Sequence, residues 1–121
     1  VQGGGGIGDL SHSLLTDYEM AIVGHKGQCK IRGKRYGSVW KSDKVNPNTM
    51  LHPTEKPQDI IAKMINTFSD SDNESIILDP FLGSGTTAVA AKQLGRNFIG
   101  IELSEKYCEI ANQRLRQDIL L

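Results

Sequence analysis

Residues 75–103 constrain the fold more than any other part of the sequence. An apolar run ending at Leu78 is followed by Asp79-Pro80, a glycine-rich turn and an alanine-rich helix that stops at a glycine, and residues 97–103 form a second apolar run. A continuously apolar run is typical of a strand in a parallel sheet covered on both faces. The order strand, turn, helix, strand therefore predicts an α/β fold of the doubly wound kind, with right-handed crossovers.

The other elements are predicted from apolar periodicity and from the positions of proline and serine. Apolar residues at spacings of one, three and four predict a helix over residues 58–68, with Pro57 near its first position. Ser104 is a typical helix N-cap, so we expect a further helix after it. Short apolar runs predict a buried strand at residues 19–25 and a weaker strand at residues 37–40.

Length and composition are those of one globular domain. The chain has 121 residues, 38% hydrophobic and 23% charged, and no apolar run approaches the ~18 to 20 residues of a membrane span. Cys29 and Cys108 lack the paired spacing of a metal site, so we expect reduced thiols, a cytoplasmic location and no membrane partner. We expect residues 1–17 to form a glycine-rich flexible loop and residues 18–121 to form the folded part. Because the sequence begins at Val1 without a methionine, we expect a piece of a longer protein.

Charge is distributed unevenly along the chain, although the net charge is zero. Residues 26–44 carry seven basic side chains and one acidic side chain, a net charge of +6, which leaves −6 on the rest of the chain. This asymmetry indicates a polyanion such as DNA as a partner, with a solvated basic loop as the alternative. The candidate DNA-binding residues are Lys26, Lys30, Arg32, Lys34 and Arg35.

The glycine-rich turn after the first apolar run has the features of a ligand-binding loop. Ligands of doubly wound folds lie beyond the carboxyl ends of the strands, where Asp79 and the turn are expected. Gly83 and Gly85 let the backbone approach a ligand, and the helix beginning near Thr86 directs amide groups and a positive dipole end towards it. Glu102, at the end of the second apolar run, is placed to accept hydrogen bonds from ribose hydroxyls. The alternative is that Asp79 only caps the turn and Glu102 only caps the next helix.

Three ligands compete for this loop. A phosphate-binding loop for ATP requires a Gly-Lys-Ser/Thr ending, which is absent at Gly85-Thr86-Thr87. A dinucleotide fits the glycine spacing, but its pyrophosphate would meet the carboxylate of Asp79. S-adenosylmethionine carries no phosphate, and its ammonium group can pair with Asp79 while its carboxylate meets amide donors. Electrostatics therefore favours S-adenosylmethionine as the cofactor.

Three ordered motifs give the sequence a resemblance to a known family. They are His52-Pro53-Thr54-Glu55-Lys56-Pro57, Leu78-Asp79-Pro80-Phe81-Leu82-Gly83-Ser84-Gly85-Thr86-Thr87 and Leu94-Gly95-Arg96-Asn97-Phe98-Ile99-Gly100-Ile101-Glu102. From about Tyr18 onwards the chain resembles the β class of DNA amino-methyltransferases, which methylate the exocyclic nitrogen of adenine or cytosine, and its opening is similar to phage and prophage members. The resemblance implies a partial doubly wound, Rossmann-like methyltransferase fold with an incomplete sheet. It implies contacts to the methyl donor from His52, Thr54, Lys56, Asp79, Phe81, Gly83, Gly85, Thr86 and Glu102.

The sequence departs from that family at the catalytic motif. The family places an Asp/Asn/Ser-Pro-Pro-Tyr/Phe tetrapeptide upstream of these segments, and no such tetrapeptide occurs among the 121 residues. That motif would hold the target amine and stack the extruded base, so no catalytic residue is assigned in this chain. We therefore expect the donor-binding, C-terminal part of a DNA methyltransferase, with adenine preferred over cytosine, that is inactive alone. The alternative is a noncatalytic donor- or DNA-binding module of a larger assembly, whereas Asp79 disfavours a nucleotide-dependent oxidoreductase.

The resemblance also implies how the strands are arranged. In the family, the strands matching residues 75–78 and 97–103 lie on one side of the sheet, and those matching residues 19–25 and 37–40 lie on the other. Two strands of the upstream half separate them. We therefore expect two strand pairs with unpaired edges, which invite association with the missing half or with a second copy of the chain.

Overall fold

The computed structural model of the chain describes residues 18–28, 30–43, 45–70 and 74–117. Within these residues the elements, in chain order, are α1 (Gln58–Phe68), β1 (Ile76–Asp79), α2 (Thr86–Gln93), β2 (Asn97–Gly100) and α3 (Glu105–Gln117). The predicted bounds of α1 are confirmed, and the helix and two strands that follow lie where the sequence predicts them, with β2 ending earlier than expected.

The two strands form a parallel pair joined by the helical crossover α2. Ile76 lies opposite Asn97 and Asp79 lies opposite Gly100. The pairing continues past the strand ends, since the Ile101 amide donates to the Asp79 carbonyl and the Leu82 amide to the Ile101 carbonyl, each at 2.9 Å. These bonds fix the turn after β1 at the carboxyl edge of the sheet.

Helix α2 is the centre of the packing. It contacts α1, α3 and β2, and Ala88, Ala90 and Ala91 are fully buried in it. Small side chains let neighbouring elements approach the helix closely on several sides, which explains why an alanine-rich segment lies at the core. Ile65 of α1 completes this core, and the partly buried side chains packed against it are Ile61, Ala62, Ile77, Leu94 and Phe98.

The opposite face of the β1–β2 pair is exposed. Ile76, Leu78 and Ile99 keep 60%, 62% and 52% of their surface exposed, and Ile101 beyond β2 keeps 52%. The prediction that the first strand is covered on both faces is therefore wrong for the described residues, where one face only is packed. A parallel pair is ordinarily covered on both sides, so this apolar face is a surface that lacks its usual cover.

The predicted strands at residues 19–25 and 37–40 are wrong as well. The structure shows neither as a strand, and Met20, Ile22 and Val39 are 86%, 98% and 80% exposed. A strand exists only with a hydrogen-bonded neighbour, and the sheet of the described residues consists of two other segments, 76–79 and 97–100. The second strand pair expected from the resemblance is therefore not formed, while the α/β class with an incomplete sheet is confirmed.

Residues 30–43 are instead held on the outer side of α1. The Arg32 amide donates to the Thr67 carbonyl at 2.9 Å, and the Arg32 guanidinium pairs with Asp70. The Lys63 ammonium lies 4.2 Å from the ring centre of Tyr36 and 4.5 Å from that of Trp40. These contacts orient the basic segment without a sheet.

Two predictions concern residues outside the described ranges. The flexible loop at residues 1–17 and the thiol of Cys29 belong there, whereas Cys108 is a free, partly buried thiol. Among the residues that the structure describes, no helix has the length and apolar character needed to cross a membrane.

Candidate functional site

A cleft of about 150 Å³ lies at the carboxyl edge of the sheet, between the turn after β1 and the connector that precedes α1. Pockets for drug-sized ligands measure ~300 to 1,000 Å³, so this cleft accommodates one end of such a ligand. It brings together two sequence motifs that lie far apart in the chain. Its lining residues are His52, Thr54, Glu55, Lys56, Ile61, Asp79, Phe81, Leu82, Gly83, Ser84, Thr86 and Thr87.

Seven of the nine residues predicted to contact a donor line this cleft, and the other two, Gly85 and Glu102, lie outside the lining. Asp79 ends β1 and accepts a hydrogen bond from the Phe81 amide at 2.9 Å, as the capping alternative expects. Asp79 also lines the cleft. Its two carboxylate oxygens can accept further hydrogen bonds, since the Phe81 amide uses only one of their lone pairs.

Gly83 lies beside the connector motif in a left-handed conformation that favours glycine. It has a φ of +56°, and a Cβ at this position would lie 3.5 Å from the His52 ring. The imidazole packs on the other side against Tyr107 of α3, with ring centres 4.3 Å apart. The glycine backbone and the tilted Tyr107 ring thus hold His52 at the cleft.

Gly85 contacts helix α3 at the start of α2. With a φ of +89° it is the N-cap of α2, and a Cβ on it would lie 2.7 Å from the Ala111 Cβ of α3. The side of Gly85 where a Cβ would stand therefore faces a neighbouring helix. Helix packing, together with the left-handed backbone, explains the residue.

Glu102 holds two backbone amides behind the cleft. One carboxylate oxygen accepts from the Gly83 amide and the other from the Ser104 amide, each at 2.8 Å. These hydrogen bonds, that from Ser104 most strongly, hold the pKa of Glu102 below its ordinary value of 4.5. Glu102 thus joins the glycine turn to the start of α3, as the capping alternative expects, and each oxygen retains a lone pair for a further donor.

The connector wall is ordered by its own polar side chains. The Nδ1 atom of His52 lies 3.2 Å from the Thr54 amide nitrogen and 3.1 Å from the Thr54 Oγ1 atom. The Lys56 ammonium pairs with both carboxylate oxygens of Glu19, at 2.9 and 3.0 Å. Lys56 therefore reaches the cleft as one member of an ion pair.

An ion pair that the sequence analysis missed lies beneath the two motifs. Arg114 of α3 contacts the Glu55 carboxylate at 3.0 Å, with side chains 16% and 8% exposed. A detectable signal existed, because Arg114 follows Tyr107 and Ala111 at spacings of seven and three, and so shares the apolar stripe of α3. A charged residue on a buried stripe indicates a buried partner.

The cleft combines opposite electrostatic features. The carboxylate of Asp79 lies on one wall, while the first turn of α2, with Thr86 and Thr87, presents the amide-rich, positive end of a helix. An amino acid group with an ammonium and a carboxylate matches both features. A phosphate would match only the helix end.

The candidate DNA-binding residues lie apart from the cleft lining, and all are exposed. Arg32 is paired with Asp70, so it stabilises the basic segment against the end of α1. The other four candidates lie in segments without helix or strand: Lys26, Lys30, Lys34 and Arg35.

Comparison with protein families decides the classification. The profile of the family described as DNA methylase matches residues 12–113, which is most of the chain. The chain belongs to the DNA methylase family. The resemblance to DNA amino-methyltransferases is thereby confirmed.

Curated relatives of this methylase chain are Type II methyltransferases. It is 48% identical over 66 residues to M.HinfI of Haemophilus influenzae, covering 54% of the chain and 18% of that protein. It is 42% identical over 89 residues to M2.DpnII of Streptococcus pneumoniae, covering 71% of the chain and 32% of that protein. The chain thus spans about a third or less of the length of these two relatives.

Solved structures agree with the methyltransferase fold. A crystal structure of M1.HpyAVI in complex with SAM matches with a TM-score of 0.62 and 33% identity, covering 74% of this chain and 45% of that one. The cytosine-N4-specific PvuII DNA methyltransferase matches with a TM-score of 0.50 at 20% identity, covering 63% of this chain and 29% of that one, which supports the fold alone.

Proposed function

We propose that this chain is the S-adenosylmethionine-binding part of a DNA amino-methyltransferase, with the exocyclic nitrogen of adenine as the preferred acceptor and that of cytosine as the alternative. The observation that carries the proposal is the pairing, in one cleft, of the Asp79 carboxylate with the amide-rich end of α2. This pairing is complementary to the amino acid end of the donor, and the cleft volume suits that end alone.

Different residues around the cleft contact different parts of the donor. Asp79 pairs with its ammonium group, and the first-turn amides of α2 donate to its carboxylate. Gly83 and His52 line the cleft beside the chain of the ligand. Phe81, 87% exposed at the rim, offers a ring face to the adenine base, and Glu102 accepts from a ribose hydroxyl with its remaining lone pairs.

When bound, the donor supplies an electrophilic methyl group to the attacking amine. The contribution of this chain is to fix the donor and to keep its charged end paired away from water. No residue of the described cleft is assigned to hold the target base.

The basic segment supplies contacts to DNA. Exposed lysines and arginines bind phosphates without reading sequence, so they orient a duplex and do not select a site. The contacts of Arg32, Tyr36 and Trp40 on α1 connect this segment to the helix that follows the donor motif.

A second candidate is a noncatalytic module that binds the donor or DNA within a larger assembly. It is favoured by one observation, the lack of a Pro-Pro-aromatic tetrapeptide in the 121 residues. The two candidates differ in turnover after the remaining part of the fold is supplied, since only the first then transfers a methyl group.

Isothermal calorimetry of the full chain with S-adenosylhomocysteine, and separately with NAD, tests the proposal. We expect saturable one-to-one binding of S-adenosylhomocysteine and no heat with NAD, because NAD brings a pyrophosphate towards Asp79. Binding of NAD alone, or of neither compound to folded protein, would show that the cleft is not a donor site.

A further inference from the structure

The two walls of the cleft are joined by one side chain of α3. The Nη1 atom of Arg114 lies 3.0 Å from the Glu55 carboxylate in the connector motif. The same atom donates to the Ser84 carbonyl at 2.9 Å, and it lies 3.1 Å from Ser84 Oγ and 3.2 Å from Thr86 Oγ1 in the glycine turn. The connector and the turn therefore share a single donor group.

Each acceptor is itself held in place. The other carboxylate oxygen of Glu55 accepts from the Leu51 amide at 2.8 Å, and the Glu55 amide donates to the His52 carbonyl at 2.9 Å. Ser84 and Thr86 are 3% and 7% exposed. The contacts of Arg114 therefore reach backbone segments that have little freedom to rearrange around a lost partner.

Helix α3 supports the cleft at a second point on the same face. Tyr107, two turns before Arg114, packs its ring against His52 and so holds the start of the connector motif. The two contacts leave the connector fixed at His52 and Glu55, on either side of Thr54, which lines the cleft.

We propose that Arg114 is a positioning residue, which sets the distance between the connector wall and the glycine turn and thereby the affinity of the cleft for the methyl donor. This inference rests on the proposed donor site. Arg114 is not in the cleft lining, so it acts through Glu55, Ser84 and Thr86.

A single and a double variant together separate the effect of Arg114 on the position of the walls from its effect on the stability of the fold. Arg114→Gln leaves the Glu55 carboxylate buried without its cation, which lowers both stability and affinity. In the double variant Arg114→Gln with Glu55→Gln, both members of the buried ion pair are neutral. The melting temperature is therefore expected to recover towards that of the parent. The guanidinium that spans the two walls stays absent, so affinity is expected to remain low.

Titration with S-adenosylhomocysteine and thermal unfolding are measured for the parent, both variants and Arg116→Gln, an exposed arginine on the same helix. We expect roughly ten- to hundredfold weaker binding in both Arg114 variants and no change in Arg116→Gln. Hydrogen exchange is expected to quicken in residues 52–56 and 83–86 together. Parent-like affinity in the double variant would overturn the positioning role of Arg114 and leave the donor site intact. Absence of binding by the folded parent would overturn the donor site itself.

Discussion

Asp79 has one carboxylate that serves both the turn and the cleft. Its hydrogen bond to the Phe81 amide stabilises the turn, and its other lone pairs are directed to a ligand ammonium in the proposed function. The two roles differ in their consequences, since loss of the first affects folding and loss of the second affects affinity.

Replacement of Asp79 by alanine should weaken binding of S-adenosylhomocysteine by about 1.5 to 3 kcal/mol, the range for a hydrogen bond to a charged group. Calorimetry on the folded variant measures this change. Asp43→Ala, which removes an exposed carboxylate of the basic segment, is the matched control and should bind like the parent. Unchanged affinity in folded Asp79→Ala would place the ammonium site elsewhere.

Glu102 makes the stability of the folded chain depend on pH. Because its pKa is lowered in the folded chain, chiefly by the hydrogen bond from the Ser104 amide and then by that from Gly83, its stabilising effect is fully present above the ordinary value of 4.5. The effect is lost as pH falls through the lowered pKa of the folded state.

The variant Glu102→Gln should therefore be less stable than the parent at neutral pH, and the difference should shrink as the solution is acidified below about pH 4. Thermal unfolding followed by circular dichroism between pH 3 and pH 7 measures the gap. Glu109→Gln, an exposed glutamate on α3, should show no such convergence. A gap that is constant over this range would exclude the charged form of Glu102 as the stabilising species.

At the scale of elements, the glycine turn and α3 fit together through Gly85. The absence of a side chain lets the Cα of Ala111 come within 3.0 Å of where a Cβ would lie. This contact brings α3 against the start of α2, and so brings Arg114 within reach of Ser84 and Thr86.

Substitution of Gly85 by alanine should cost about 2 to 4 kcal/mol of stability, since a left-handed backbone and an overpacked contact are combined. Gly95→Ala is the control, because Gly95 has a φ of +67° with nothing within 4 Å of the added carbon. It should cost only about 1 to 2 kcal/mol. Urea unfolding of both variants gives the comparison, and equal losses would mean that the contact with Ala111 relaxes freely.

The elements differ in how far their sequence specifies them. Helix α1 carries its apolar stripe within its own residues and follows directly on Pro57, so local sequence predicts its bounds correctly. The strand prediction at residues 19–25 rested on local apolarity, whereas a strand is completed by neighbours that are distant in sequence. The pair Glu55 and Arg114 has the same non-local character, which is why the motif predicted the cleft but not the residue that joins its walls.

At the scale of the whole molecule, the uncovered sheet face should drive association. Among the described residues, Ile76, Leu78 and Ile99 present apolar side chains on the face that α2 does not cover, and β1 and β2 each have one unpaired edge. Such surfaces pair with another chain when one is present.

We therefore expect light scattering to show a mass that rises with concentration over the micromolar range. Ile99→Glu should reduce this association, because it places a charge on the exposed face without entering the core. Val39→Glu, at an exposed apolar position outside the sheet, should leave it unchanged. A mass independent of concentration would show that the sheet face is not an interface between copies.

The chain alone should transfer no methyl group to DNA. Orientation of the acceptor contributes a large part of the rate of a bimolecular transfer, up to roughly 7 to 11 kcal/mol for well-aligned groups. The proposed cleft orients the donor, but the 121 residues contain no Pro-Pro-aromatic motif to hold an extruded base, so the acceptor amine stays unaligned. Labelled S-adenosylmethionine with mixed-sequence DNA measures the transfer, with intact M2.DpnII as the positive control and heat-treated chain as the blank. Transfer clearly above the blank would show that residues of this chain align the base as well as the donor.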